Sequence, residues 1–297
     1  EFETEKKVVL EEIAMAKDNL EHVAFDFIQE KVFADHPLAW PVLGYEETVE
    51  SLSRDQMWEY FQRRYAPDNM VIIVAGKVDP QEIIGLAEEL CGSWPASGAT
   101  TPRTQPTIHG GVDVLQLDRF KQQIVCLTFP SVSAADDLAE TASAAATILG
   151  GDNSRFFWKI VQAGICPRAG AHHLEYTDTG AIMLFGACNP DKAEKLVDAM
   201  RREAKLICTG RVQDFEVDRV KNRRRTTLAV ESEAPYHRLT QLIDDMEYRG
   251  EPRTVDQMLA EVDAVAADTI QEYFERYPID GGGHFASTGP RLWPDTG

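Results

Sequence analysis

The sequence predicts an α+β protein of two domains with a related order of elements, the first of them incomplete. Apolar residues recur at helical spacing along much of the chain, and short apolar tracts of strand character interrupt them. One segment rich in Ser, Pro, Thr and Gly separates the two halves. A chain of 297 residues has room for two domains of about 100–200 residues each. We place the first domain at 1–96, the linker at 97–111 and the second domain at 112–297.

The first domain is predicted to open with two consecutive helices. Apolar residues share one helical stripe within 2–16, which predicts the first helix. Asp18 and Glu21 then have the spacing of a capping box, in which each side chain bonds the backbone N–H of the other residue. This pattern predicts a second helix that runs to about Phe33.

A helix, a strand and another helix are predicted for the rest of this domain. Ser53 and Gln56 have the capping-box spacing again, at the start of a helix. The tract MVIIVAG, at 70–76, is apolar throughout and predicts a buried strand. Asp79 followed by Pro80 is typical of a helix N-terminus, because Asp caps the helix and Pro is tolerated in its first turn.

The second domain is predicted to combine a meandering sheet with helices that cover it. A strand is predicted for QQIVCLTFP at 122–130 and another for HFASTG at 284–289. A hairpin is predicted for HHLEYT and AIMLFGAC, which meet across the turn Asp178-Thr179-Gly180. Helices are predicted at 135–149, 153–163, 190–208, 212–231, 235–249, 254–262 and 266–276.

The composition argues against several classes of function. The chain has 30 Lys and Arg against 49 Asp and Glu, and the resulting charge of −19 repels the phosphate backbone of nucleic acids. Its longest apolar tracts are far shorter than the roughly 18 residues of a membrane span, and no signal-peptide pattern opens the chain. The five cysteines are odd in number and form no CxxC, so we expect reduced core residues and a cytoplasmic location.

The start of the chain suggests that a part of the first domain lies elsewhere. Glu1 is followed directly by helical periodicity, with no initiator Met and no capping residue. We therefore expect the natural protein to begin earlier. An incomplete first domain would expose apolar surface where its missing strands pack, so we also expect self-association or retention of a partner fragment.

Glu5 and Glu12 are the most informative acidic residues. They are seven positions apart, so at about 100° per residue they share one helix face, whereas Glu11 projects about 100–120° away from them. Val8 and Val9 flank that face. Burying two carboxylates beside apolar residues is unfavourable unless a cation or strong hydrogen-bond donors compensate them. The spacing alone therefore allows two interpretations, a metal site or two surface acids at the edge of an apolar stripe.

Several longer segments resemble one known family. They are EKKVVLEEI, FDFIQEKVF, DHPLAWPVLG and RRYAPDNMVIIVAG in the first domain, and NSRFFWKI and YTDTG in the second. Together they resemble the pitrilysin/insulinase-type zinc metallopeptidases, which include the mitochondrial processing peptidases, over essentially the whole chain. The resemblance implies two related α/β sandwich-like domains, of which the first is incomplete here.

The same resemblance assigns roles to the two glutamates. In this family an inverted HxxEH motif on one helix and a Glu on a later helix hold zinc. Glu12 occupies the position of that third ligand, and Glu5 matches the family's other acid, which supports the catalytic site from behind the ligands. Zinc is therefore the cofactor expected for the intact protein.

The sequence also departs from the family pattern. HxxEH would lie before residue 1, so the chain as given lacks two ligands and the general base, and we expect it to be inactive alone. His172 to Tyr176 reads HHLEY, but we reject it as a substitute because a strand sends neighbouring side chains to opposite faces. Where active members carry an Arg and a Tyr that hold substrate, this chain has Val161 and Arg168. Its substrate-binding residues are therefore not assigned.

These implications lead to a preferred function and two alternatives. The resemblance favours a zinc-dependent metalloendopeptidase that acts on peptides or unfolded proteins, as a homodimer or with another subunit of the family. The first alternative is a non-catalytic partner subunit, and the second is an unrelated acidic α/β binding module. The basic run from Lys221 to Arg225 is interpreted as a solvated helix face, with a domain or subunit contact as its alternative.

Overall fold

The computed structural model describes residues 1–99, 103–210 and 212–294, and these residues form a mixed α/β fold around one five-stranded sheet. The strand order is β1-β5-β2-β4-β3. β1 and β5 are parallel, and the other neighbours are antiparallel. The strands are β1 Gly111–Gln116, β2 Gln123–Ser131, β3 Arg168–Glu175, β4 Gly180–Cys188 and β5 His284–Gly289.

Most of the remaining described chain is helical. The α-helices are α1 Phe2–Lys17, α2 Leu20–Phe33, α3 Glu46–Ser51, α4 Arg54–Arg64, α5 Pro80–Cys91, α6 Ala139–Gly150, α7 Ala193–Cys208, α8 Asp214–Ser232, α9 Pro235–Tyr248, α10 Val255–Ala264 and α11 Ala267–Arg276. Three 3₁₀ turns lie at Pro37–Ala39, Pro67–Asn69 and Pro190–Lys192, and a π-helical turn lies at Phe157–Val161. Among the described helices, none has the length and apolar content that crossing a membrane requires.

Both faces of the sheet are covered, which explains why its central strand is buried along most of its length. In β2, Val125 and Leu127 face the main core, which α6, α7 and α11 complete. Ile124 and Cys126 point to the opposite face, where they pack against α2. All residues from Gln123 to Phe129 are buried. The predicted α+β class and the predicted strands of the second half are therefore confirmed.

Residues 41–99 pack differently. Between 41 and 99, Ala66 is the only buried residue. The predicted strand at 70–76 is wrong, because this tract is irregular and most of its side chains are exposed. A strand is held by hydrogen bonds to a neighbouring strand, and no strand within the described part of the chain pairs with this tract.

Details of capping and pairing also differ from the sequence predictions. The cap of α2 is Asn19 and not Asp18, since the Asn19 side chain accepts from the backbone N–H groups of Glu21 and His22. The capping box of Ser53 and Gln56 is confirmed. Strand β1 was not predicted, because its six residues follow a linker-like composition and it pairs with a strand about 170 positions away.

The two predicted domains are in contact through one helix. Helix α2, which we assigned to the first domain, packs on the sheet that we assigned to the second, with Ala24, Ile28 and Val32 against Ile124 and Ala286. The division at 97–111 stays a prediction, and residues 100–102 of the linker lie outside the described residues.

The five cysteines are free thiols, and three of them are buried. Burial raises the pKa of the Cys126 thiol to about 12, so it stays protonated at neutral pH. The expected core position is found for Cys126, Cys166 and Cys188, whereas Cys91 and Cys208 are only partly buried, and the reduced state stays a prediction.

The basic run is not merely a solvated face. Lys221 donates to the carbonyl oxygens of Asp263 and Val265, each 2.8 Å away, at the end of α10. Arg223 pairs with Asp152 at 2.9 Å, and Arg225 with Asp263. These bonds attach α8 to neighbouring elements of the same half of the molecule.

Candidate metal-binding helix and acidic cleft

Helix α1, which carries Glu5 and Glu12, is held in place by one buried residue and two lysines. Ile13 is the buried residue of this helix. Lys6 donates to the carbonyl of Leu52 at 3.0 Å, and Lys17 pairs with Glu46, so both ends of α1 are attached to α3 and its flank. The helix therefore presents its remaining face in a defined orientation.

Glu5 and Glu12 lie on that remaining face, and both are exposed. Neither carboxylate forms an ion pair or hydrogen bond with another side chain in the described part of the chain. Seven residues of α-helix separate them by about 10 Å along the axis. This spacing suits one metal ligand with a supporting acid behind it better than two ligands of one tetrahedral ion.

The residues present do not fit a complete zinc site. A catalytic zinc site needs three protein ligands, usually His, Cys, Asp or Glu. The described residues include no group of three or more such side chains that could hold a metal ion. Glu12 could supply one ligand and no more.

The segment from His172 to Tyr176 lies in and just after β3, as predicted, and its two histidines point to opposite faces. The His172 ring stacks on Phe185 at 5.2 Å, and burial lowers the pKa of His172. The His173 ring is buried on the other side, with Nε2 3.0 Å from the carbonyl of Val132 and Nδ1 3.1 Å from the Ser143 hydroxyl. The rejection of this segment as a metal site is consistent with that geometry.

Glu175 joins the His173 cluster from the same strand. Its carboxylate accepts a hydrogen bond from Ser143 at 3.0 Å and lies 3.2 Å from His173 Nδ1. Burial opposes ionisation of Glu175, but the hydrogen bonds from His173 and Ser143 outweigh it and lower the pKa of this carboxyl. Ser143 is thus engaged on both sides, and the cluster does not have the geometry of an activated nucleophile.

An acidic cleft of about 380 Å³, which sequence reasoning missed, opens next to this cluster. Helices α6, α8, α9 and α10 and strand β3 surround it. Six carboxylates and three guanidinium groups line it, which leaves three formal negative charges. The carboxylates are Glu140, Glu175, Glu231, Asp244, Asp245 and Glu261, and the guanidinium groups are Arg224, Arg249 and Arg253. In the sequence these acids do not differ from ordinary acids on helix surfaces.

The charges in the cleft are unevenly compensated. Asp245 is 1% exposed and accepts from Arg253 at 2.8 Å, and Arg253 also bonds Glu261. Burial raises the pKa of Glu140, and the Arg224 guanidinium 3.3 Å away only partly opposes this. Burial and the charge of Asp245 likewise raise the pKa of Asp244. A cation entering this cleft would favour the ionised form of both groups.

Val161 and Arg168 lie in two different elements. Val161 ends the π-helical turn, whereas Arg168 begins β3. The Arg168 guanidinium pairs with Glu21 of α2 at 2.8 Å and lies over the Phe185 ring. It therefore connects α2 to the sheet.

Comparison with known proteins decides the family. Residues 51–224, more than half of the chain, match the family described as "Peptidase M16 inactive domain". The chain belongs to the M16 peptidase family. This M16 chain is 24% identical over 272 residues to the uncharacterized zinc protease YmxG of Bacillus subtilis, a match that covers 91% of the chain and 66% of YmxG. It is 29% identical over 236 residues to an uncharacterized zinc protease of Rickettsia bellii, covering 78% of the chain and 57% of that protein.

Solved structures show the same fold. A protease from Helicobacter pylori superposes on 97% of the M16 chain with a TM-score of 0.88 and 17% identity. A peptidase M16 inactive domain from Pseudomonas fluorescens superposes on 98% of it, with a TM-score of 0.88 and 15% identity. The M16 chain covers 71% and 70% of those two chains. It spans less than two thirds of the length of the two curated relatives, 66% and 57%.

Proposed function

We propose that this M16 chain is part of a zinc-dependent metalloendopeptidase, in which Glu12 supplies the third zinc ligand and Glu5 supports the site. The observation that carries this proposal is the pair of unpartnered carboxylates on one exposed face of a helix that is fixed at both ends. Acids in such a position can bind a cation whose other ligands come from residues outside the given sequence. Two relatives named as zinc proteases support the same assignment.

Hydrolysis would require groups that this chain lacks. The two His ligands and the general base of HxxEH are not among its residues. Within the proposal the chain therefore contributes part of the site, and it is inactive alone. The expected substrates are peptides or unfolded proteins, and the acidic cleft favours basic side chains among them. A dimer with a second family subunit and a cytoplasmic location also belong to the proposal.

The alternative is a non-catalytic partner subunit of a peptidase of the same family. The match to an inactive-domain description and the lack of a complete metal-binding group among the described residues favour this alternative. It would leave Glu5 and Glu12 without a role in metal binding. The metal content of the intact gene product distinguishes the two functions.

The test is to express the intact gene product and to measure its zinc content and peptidase activity with three variants. We expect Glu12→Gln to remove bound zinc and activity, because a neutral amide is a poor zinc ligand. Glu5→Gln should lower activity or zinc affinity by about 10–100-fold, as loss of a supporting group does. Glu11→Gln is the matched control, since Glu11 is exposed on the same helix and projects away from the other two.

The outcomes separate the two functions. Zinc that is lost in Glu12→Gln and retained in Glu11→Gln supports the metallopeptidase. If the intact protein contains no HxxEH motif and purifies without zinc, the metallopeptidase proposal is contradicted and the partner subunit is favoured.

A further inference from the structure

A second cavity, of about 300 Å³, lies between α2 and the sheet, on the side opposite the main core. Helix α2 forms its roof, with residues whose spacing marks a single helix face. These are Phe25, Ile28, Gln29, Val32 and Phe33. The floor comes from strands β2 and β4 and from the end of β3, with Thr128, Met183, Leu174 and Tyr176.

The cavity follows from the way α2 packs. The helix contacts mainly β5 and β2, so it covers one half of the sheet more closely than the other half, formed by β4 and β3. Phe25 meets Phe185 edge to face at 5.7 Å, and Phe33 meets Tyr176 edge to face at 5.4 Å. These two aromatic contacts are about 12 Å apart along the helix.

One polar group in the floor is unusual. Thr128 is 3% exposed, and its hydroxyl has no hydrogen-bond partner among the described residues. Strand alternation places this side chain on the same face as Ile124 and Cys126, both of which are apolar. A buried hydroxyl without a partner is unfavourable. Thr128 is among the residues that line the cavity, so its hydroxyl can donate to a ligand bound there, and it has no other partner among the described residues.

The remaining lining defines what the cavity can accept. No Asp, Glu, Lys, Arg or His side chain is among its lining residues, so a charged ligand would lose hydration without compensation. The Gln29 amide already donates to the carbonyl of Leu38 at 2.6 Å. Apolar walls with one or two polar groups that fix orientation are typical of small-molecule sites.

We propose that this cavity binds an uncharged, mainly apolar small molecule of about ten non-hydrogen atoms, to whose single acceptor atom the Thr128 hydroxyl donates a hydrogen bond. The size follows from the cavity volume at normal packing density. The site is independent of Glu5 and Glu12, so it does not rest on the proposed peptidase function.

The test uses two probes of equal size and similar shape, acetophenone and α-methylstyrene, which differ by a carbonyl oxygen in place of a methylene group. Each is titrated into protein carrying ¹³C-methyl methionine, and the Met183 methyl resonance is followed. Met15, which is 73% exposed on α1, is the internal control and should not shift. We expect a saturable shift of the Met183 signal with both probes.

Two variants then test the assigned contacts. Thr128→Val keeps the shape and removes the hydroxyl, so it should weaken acetophenone binding about five- to tenfold and leave α-methylstyrene binding unchanged or tighter. Leu174→Trp fills the cavity and should abolish binding of both probes, with an unchanged far-UV circular dichroism spectrum. The proposal is wrong if neither probe shifts Met183 saturably, or if Thr128→Val leaves acetophenone affinity unchanged.

Discussion

At the residue scale, some buried polar side chains of the sheet have hydrogen-bond partners among the described residues and one does not. Gln123 donates to the Ser287 hydroxyl at 2.9 Å, and the hydroxyls of Ser131 and Tyr273 are 2.7 Å apart. Thr128, on the same strand as Gln123 and Ser131, has no such partner in the described part of the chain. Because burial of an unpaired hydroxyl is unfavourable and burial of a paired one is not, these neighbours should respond oppositely to removal of the hydroxyl.

We predict that Thr128→Val raises the free energy of unfolding by about 1 kcal/mol, because it removes an unpaired polar group and keeps the volume. Ser131→Ala should lower it by about 1–3 kcal/mol, since the Tyr273 hydroxyl then loses its partner inside the core. Urea unfolding of the two variants and the wild type measures both changes. A destabilising effect of Thr128→Val would mean that its hydroxyl has a partner in solution.

The ion pair of Glu216 and Arg155 should contribute a pH-dependent part of the stability. The Glu216 carboxylate accepts from Arg155 at 2.7 and 2.8 Å and from the backbone N–H of Gln213 at 2.9 Å. Burial alone would raise the pKa of Glu216, but these hydrogen bonds outweigh it and the pKa is lowered from 4.5. A lowered folded-state pKa stabilises the protein above the unfolded pKa, and this contribution is lost as the pH falls through the folded value.

We therefore predict that Glu216→Gln lowers the free energy of unfolding at pH 7 by about 2 kcal/mol, because it replaces the charge-assisted hydrogen bonds between Arg155 and a carboxylate by weaker ones to a neutral amide. The difference from the wild type should shrink as the pH falls below the ordinary Glu value of 4.5. Urea unfolding at several pH values measures it. Glu272→Gln, at an exposed position of α11, is the control and should follow the wild type at every pH.

At the element scale, one helix approaches the sheet closely through its backbone. Gly150 ends α6, and a Cβ built there would lie 1.8 Å from the backbone nitrogen of Ala171 in β3. The absence of a side chain at this position lets α6 approach β3 directly. That approach also brings Ser143 of α6 to His173 and Glu175 of β3, so it builds the polar cluster beside the acidic cleft.

We predict that Gly150→Ala destabilises the protein by about 3 kcal/mol or more, because backbone on both sides would have to move. Gly85 in α5 is the matched control, since a Cβ there would meet nothing within 4 Å. Gly85→Ala should stabilise α5 by up to about 1 kcal/mol through helix propensity. Thermal unfolding of both variants checks the contrast. Equal effects of the two substitutions would contradict the close approach of α6 to β3.

At the scale of the whole molecule, apolar exposure is concentrated in one part of the chain. Large apolar side chains between residues 57 and 94 are exposed, and no strand of the described residues covers them. They are Met57, Trp58, Tyr60, Phe61, Tyr65, Met70, Val71, Ile72, Val74, Val78, Ile84, Leu86, Leu90 and Trp94. Exposed apolar side chains in this number over a short segment, here called the apolar patch, are unusual on a monomer and favour association.

We predict that the chain self-associates through this patch. Sedimentation velocity over a range of concentrations should show species larger than a monomer. Ile72→Lys together with Leu90→Glu should shift the distribution toward the monomer, because both side chains are exposed and charges oppose apolar association. Val42→Lys, at a 99% exposed position outside the patch, is the control. A monodisperse wild-type monomer would contradict this prediction.

The sequence by itself determined what depends on neighbours along the chain. The hairpin of β3 and β4 follows from two apolar tracts and a Gly-containing turn, and the rejection of a metal site at His172 and His173 follows from strand alternation. The family could also be identified from the sequence, because its motifs are continuous segments. Helix spacing placed Glu5 and Glu12 on one face, as found in α1.

Only the tertiary structure decided what depends on distant partners. The parallel pairing of β1 with β5, the loss of the strand expected at 70–76 and the bonds of Lys221 to α10 each require a neighbour far away in the sequence. The same holds for the acidic cleft and for the unpaired hydroxyl of Thr128. Local periodicity shows which face of an element is apolar, but the element that covers this face, or leaves it open, is set by the packing of the whole chain.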